Sequence, residues 1–164
     1  MLRTAHQLLT FFDSAQTVKG RKKLQKVIHL LKHANHSYPF NYQYHHYGPY
    51  SPTLQYEVNR LVQQNYINEN NDGTAYQYTL TKEGSKFKDM LENEGNFRFS
   101  LNRKLLDTLL QEESQFLEVV STYAFLIESG DTPNQAKEKT EELKAHLSHY
   151  LEEAINFYKE HFSN

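Results

Sequence analysis

His29 and His33 stand four residues apart, the helical spacing at which two imidazoles can share one metal ion. His36, His45 and His46 follow, among nine histidines in all. A metal centre also needs a third ligand at a set distance. The chain has no His-Glu-x-x-His pattern and no cysteine, so partly exposed histidines on a helix and a strand explain the set better. Ser51 follows His46 closely, yet no Gly-x-Ser-x-Gly elbow surrounds it and no carboxylate is in place to orient a base. Ser51 before Pro52 reads instead as a helix cap with the favoured first-turn proline. No P-loop and no Gly-x-Gly-x-x-Gly occurs. The pairs Glu112-Glu113, Glu141-Glu142 and Glu152-Glu153 fall on solvated helix faces. The chain is therefore expected not to be an enzyme: no catalytic residue, no metal and no cofactor is assigned.

Two features suit binding better than reaction. The first is the basic run Lys19-Gly20-Arg21-Lys22-Lys23-Leu24-Gln25-Lys26, which holds five of the 11 cations in residues 1–95. It opens a helix, where the macrodipole disfavours cations. A bound phosphate or a partner carboxylate would relieve that conflict, and solvent exposure would also tolerate it. The second is a concentration of tyrosine, nine of the 12 lying between Tyr38 and Tyr78. Cross-strand aromatic pairs in a small sheet account for most of these. An aromatic rim around Tyr47, Tyr50 and Tyr56, carried in part by the loop through Gly48 and Pro49, is the functional alternative.

These residues need elements to hold them. The length, 164 residues, suits one domain or a small domain with a helical extension. Residues 2–14 read as an amphipathic helix. Residues 20–34 read as a second, with Leu24, Val27, Ile28 and Leu31 on one face. Residues 40–47 alternate and read as a strand that Gly48-Pro49 ends. A third helix covers 51–65. Strands at 66–69 and 75–80 flank the turn Asn71-Asp72-Gly73, and Thr81 opens a fourth helix. From Leu101 the pattern predicts one helix to about Ile127, then a boundary at Ser129 to Pro133, then a single final helix of about 30 residues, about 45 Å long. Leu143, Leu147, Tyr150, Ala154 and Phe157 form its heptad-like seam.

The expected fold class is thus mostly α with a small antiparallel β-sheet. A winged-helix-like domain occupies 1–95, and a long antiparallel α-hairpin occupies 99–164 for packing or dimerisation. In that plan the helix at 51–65 takes the recognition position and the hairpin at 66–80 is the wing. Expected nucleic-acid contacts are Arg21, Lys22, Lys23 and Lys26 on phosphates, with Thr53, Gln55, Asn59, Arg60 and Gln63 facing base edges. The charge supply is thin: Arg60 is the one cation of that helix, and the wing tip carries Glu69 and Asp72. About 15 residues separate the second and third helices, where a helix-turn-helix uses 3–4.

The segments Gly20 to Lys26, Tyr44-His45-His46-Tyr47-Gly48-Pro49-Tyr50-Ser51, the positions Leu54, Glu57 and Leu61, and Tyr78-x-Leu80-Thr81-x-x-Gly84 together resemble the YwgA-like family of small bacterial proteins. The Lys-Leu-Gln-Lys helix and the Tyr-Gly-Pro loop are more distantly similar to the Panacea-type antitoxin domain. The likeness covers about residues 18–90. It implies a winged-helix-like fold. The Panacea likeness further implies a protein that neutralises toxins by direct contact.

Two functional expectations follow. One is a non-enzymatic regulator that binds double-stranded DNA through the third helix and the basic run. The other is an antitoxin-like or adaptor module that grips a protein partner through Tyr47, Gly48, Pro49, Tyr50 and Tyr56. A homodimer through 101–162 is expected in either case, because two helices alone leave apolar flanks. Residues 1–95 carry a net +3 and residues 96–164 a net −5, which fits an anion-facing part and a separate solvated part. A mean hydropathy of −0.80, with no apolar run of about 18 residues, predicts no membrane association. A start without an apolar core predicts a cytoplasmic location.

Overall fold

The structure is a computed structural model that describes residues 2–162. Helix α1 (Leu2–Ala15) leads into the short strand β1 (Thr17–Lys19) and then α2 (Arg21–His33). The hairpin β2 (Gln43–His45) and β3 (Gly48–Tyr50) follows, then α3 (Pro52–Gln63). Strands β4 (Ile67–Asn71) and β5 (Tyr76–Leu80) precede α4 (Lys82–Gly95). The rest is helical: α5 (Arg103–Leu110), α6 (Ser114–Glu128), α7 (Pro133–Leu143), a 3-10 stretch (Ala145–Tyr150) and α8 (Leu151–Phe162). The mostly helical class with a small antiparallel sheet is as the sequence indicates.

The larger sheet has the order β1-β5-β4, with Val18 opposite Tyr78 and Glu69 opposite Tyr78 on the other side. Three helices, a strand between the first two and two strands after the third are consistent with a winged helix. Side chains cap the elements that position the site. Ser51 Oγ accepts the Leu54 N–H at 3.2 Å and opens α3. Thr81 Oγ1 accepts from Gly84 at the start of α4. Asp72 accepts from the N–H groups of Thr74 and Ala75 and from the Thr74 hydroxyl, which fixes the β4–β5 turn and holds its carboxyl down at about 2.

Four readings of the sequence need correction. The strand at 40–47 is two short strands, and the turn falls at His46-Tyr47; Gly48 and Pro49 lie within β3. Gly48 has φ +96, which favours glycine, and a Cβ there would lie 3.2 Å from Thr122 Oγ1 and 3.4 Å from Lys26 Nζ. Strand β1 has only three residues, too few to leave a periodic pattern. The expected helix to Ile127 breaks at 111–113 into α5 and α6, and the break lets Lys23 Nζ donate to the Leu110 carbonyl at 2.6 Å. The expected 30-residue helix is α7, the 3-10 stretch and α8, and Leu143 on its supposed seam is exposed. Residues 99–164 are therefore not a long two-helix hairpin. Helix α6 lies against α2, α7, α8 and β3, and one core runs from Leu8 through Ile28 and Leu117 to Ile155. No described helix is long and apolar enough to cross a membrane.

Candidate functional site

The start of α2, the β2–β3 hairpin and the start of α3 line a cavity of about 300 Å³ that opens to solvent. Arg21, Lys22, Gln25 and Lys26 come from α2, His45, His46, Tyr47, Gly48 and Tyr50 from the hairpin, and Gln55 from α3. Buried Gln25 ties these elements together: its Nε2 donates to the Ser51 carbonyl and its Oε1 accepts the Ser51 N–H, both at 2.9 Å. These two bonds join the α3 cap and the hairpin exit to α2.

The basic run splits into two groups. Arg21 and Lys22 are exposed. Arg21 stacks on the Tyr76 ring, donates to the Tyr78 hydroxyl at 3.2 Å and reaches Glu69 at 3.4 Å. Lys22 Nζ lies 3.8 Å from the centre of the Tyr47 ring. Lys23 and Lys26 turn inward. Lys26 is 2% exposed and donates to the Pro49 carbonyl at 2.8 Å. Burial drives its ammonium down to about 7, opposed by nearby Glu118 and reinforced by Lys144 and Lys22. Lys23 and Lys26 are thus occupied by backbone carbonyls, where the sequence reading has them meeting phosphates.

Glu118 and Lys144 complete this centre, and the sequence reading does not include them. Lys144 Nζ lies 2.6 Å from Glu118 and donates to the His46 carbonyl at 3.0 Å. Both residues are buried. Their one trace in the sequence is that Glu118, Ser121 and Thr122 interrupt an otherwise apolar run on α6.

On α3, Thr53, Tyr56, Asn59 and Gln63 are exposed. Gln55 is half-buried and donates to Asn59 Oδ1 at 3.0 Å. Arg60 leans toward Glu57 at 3.9 Å. Tyr47 and Tyr56 stand out at 52% and 61% exposure. Pro49 and Gly48 are buried, and Tyr50 is half-buried beside His45.

The two histidines of α2 do converge, on Glu128 of α6. His33 Nδ1 lies 2.7 Å from Oε1 and His29 Nε2 3.2 Å from the same oxygen. The carboxylate must accept, so Nε2 carries the His29 proton and Nδ1 accepts the Ser121 hydroxyl at 2.7 Å. Tyr158 closes the chain by donating to His33 Nε2 at 2.7 Å. His33 therefore faces α6 and α8, not solvent as its helical position suggests. Burial pushes His29 below its ordinary value. Burial would raise the Glu128 carboxyl, but the hydrogen bonds from His29 and His33 prevail and bring it to about 2. Among the described residues no three or more His, Cys, Asp or Glu are arranged to hold a metal ion.

No family model matches the chain, so the Panacea-type likeness has no support. The chain is 28% identical over 167 residues to YwgA of Bacillus subtilis (strain 168), a protein described as uncharacterized. The alignment covers 98% of this chain and 97% of that one. The similarity thus reaches well beyond residues 18–90 and takes in the helices that carry Glu118 and Lys144.

Proposed function

We propose that this chain is a non-enzymatic regulatory protein whose winged-helix scaffold carries a protein-binding face, in the manner of an adaptor or an antitoxin. The observation that supports this reading is the rim around the cavity. Tyr47 lines the cavity with Arg21 and Lys22, and Tyr56 stands exposed on α3 next to the lining residue Gln55. Tyrosine and arginine are enriched at interface hot spots; tyrosine brings large contact area at small entropic cost, and arginine brings a planar set of donors. Meanwhile Lys23 and Lys26 are occupied internally, which removes two of the cations a DNA backbone would need. The homodimer expected through 101–162 is not part of this reading, because Leu105, Leu109, Phe116, Leu117 and Val120 are buried within the chain.

A photo-crosslinking residue at position 56, introduced in the producing cell, tests the partner reading. One recurrent protein adduct that is lost in a Tyr47→Ala background is the expected result. No adduct beyond that of a crosslinker placed on α4 would refute it.

DNA binding is the second reading, favoured by the open row Thr53, Asn59 and Gln63 on α3 next to the β4–β5 wing. With Lys22 outside any ion pair among the described residues and Arg21 shared with Glu69, retardation of duplex DNA should be weak and vanish between about 50 and 200 mM salt. Firm retardation at the higher salt, abolished by Arg21→Glu, would reverse the order of the two readings.

A further inference from the structure

Three basic side chains, Arg21, Lys22 and Lys26, line the cavity beside Tyr47 and Tyr50. Lys26 and Lys144, each 2% exposed, share a single carboxylate, Glu118. Lys22 is close enough to repel Lys26. Among the described residues it makes no ion pair and rests on the Tyr47 ring. Arg21 has Glu69 at 3.4 Å. Of these, Arg21, Lys22 and Lys26 line the cavity itself, and an anion there would favour the charged form of Lys26. Burial makes the charged form of Lys26 costly, and its one hydrogen bond among the described residues, to the Pro49 carbonyl, leaves its remaining donors free for a ligand.

The surrounding backbone adds the same sign. Gly20 caps α2 without a side-chain hydrogen bond, and the first turn contains no acidic residue. The helix dipole therefore opens unscreened beside Arg21 and Lys22. Among the described residues, no Asp or Glu lines the cavity. Its remaining walls are flat and aromatic: His45, His46, Tyr47 and Tyr50. A volume of about 300 Å³ lies at the small end of ligand pockets. The occupant that fits is compact, has a planar ring and carries about two negative charges. A phosphate monoester carries about 1.5 to 2 at neutral pH, and a carboxylate only one.

We propose that this cavity binds a phosphate-bearing aromatic ligand of the nucleoside monophosphate class, with the phosphate on Arg21, Lys22 and Lys26 and the ring against Tyr47 and Tyr50. This goes beyond the protein-binding reading and stands or falls without it. A free nucleotide and the phosphorylated end of a nucleic-acid strand share this chemistry. The site also touches Gln55 and the Gln25–Ser51 clasp, so an occupant would brace the start of α3.

Calorimetric titration of the full chain tests the proposal, using the four ribonucleoside 5′-monophosphates, their nucleosides, inorganic phosphate and a 5′-phosphorylated trinucleotide. At least one monophosphate should bind, with its nucleoside and inorganic phosphate each at least about tenfold weaker. Lys22→Glu and Tyr47→Ala should each weaken binding by about tenfold or more. Both residues are exposed, so the variants keep the fold, which circular dichroism checks. Lys86→Glu, on the exposed side of α4, should bind as the parent does. Above pH 7 the anion should draw a proton onto Lys26, so the observed heat should depend on the ionisation enthalpy of the buffer. A trinucleotide that binds more tightly than the monophosphate assigns the site to strand ends, and one that does not assigns it to the free nucleotide. Absence of binding by every monophosphate at about 1 mM, inorganic phosphate binding as tightly as the best nucleotide, or undiminished binding by both variants would each overturn the proposal.

Discussion

Lys26 and Glu118 show how unequal the members of a buried charge cluster are. Glu118→Gln would leave Lys26 and Lys144 facing each other without a carboxylate, and should cost about 3–5 kcal/mol. Lys26→Met removes the surplus cation and keeps the Lys144–Glu118 pair at 2.6 Å, so it should unfold no more easily than the parent at neutral pH. Chemical denaturation of the two variants measures the contrast, and equal losses would dissolve the cluster argument. The pH dependence carries a definite sign. Burial lowers Lys26 from the ordinary lysine value of 10.5 to about 7, so between those values the unfolded chain binds the extra proton. Stability from this group rises with pH through that window, by up to about 1.4 kcal/mol per unit. Below pH 7 both states are protonated and the full penalty applies. Urea titrations at pH 6.5 and 9 should show the parent gaining relative to Lys26→Met; parallel curves would mean that Lys26 titrates as a surface lysine. His29 acts at the acid end: its folded value is depressed, so stability should fall as pH drops below about 6.5. At the α3 cap, Ser51→Ala should cost about 1 kcal/mol, read as a lowered denaturation midpoint.

Helix α4 can start where it does because Gly84 has no side chain. A Cβ there would lie 2.1 Å from the Tyr66 carbonyl oxygen, so Gly84→Ala must push the helix off the β4 entry and should cost about 1–3 kcal/mol. A thermal melt that matches the parent would show that α4 adjusts freely. Boundaries of this local kind are legible in a sequence. Ser51-Pro52, Thr81 with Gly84, and Thr132-Pro133 with Gln135 each name a helix start in adjacent letters, and the last forms a full capping box. The breaks that went unread have no such letters. Gln111-Glu112-Glu113 contains only good helix formers, yet α5 stops there and Lys23 occupies its final carbonyl. Lys144 ends α7 with φ −122 as its side chain reaches back to Glu118 and His46. Both interruptions answer to partners far along the chain, which periodicity cannot register. The same holds for the candidate site. Arg21, Lys22, Tyr47 and Tyr50 show as a basic run and an aromatic loop, whereas Glu118 and Lys144 join them only through the fold. Gly48 was misread for a related reason, since a glycine before proline signals a turn unless neighbours distant in the chain crowd the position.

Because α2 is covered by α6 and α5 and also lies beside β1 and β3, residues 1–97 alone would expose much of a central helix. The truncated chain should therefore lack a cooperative melt and a well-dispersed amide spectrum. A folded, soluble 1–97 would show instead that the N-terminal part is self-sufficient. The arrangement also has a consequence during synthesis. His29 finds Ser121 92 residues downstream, and translation adds about 5–20 residues per second. For about 5–20 s, the side of α2 around His29 emerges from the ribosome with its cover not yet made. Codon usage or a pause between Asn102 and Glu128 would lengthen that interval and expose the nascent chain to aggregation or chaperone capture, while leaving the finished protein unchanged.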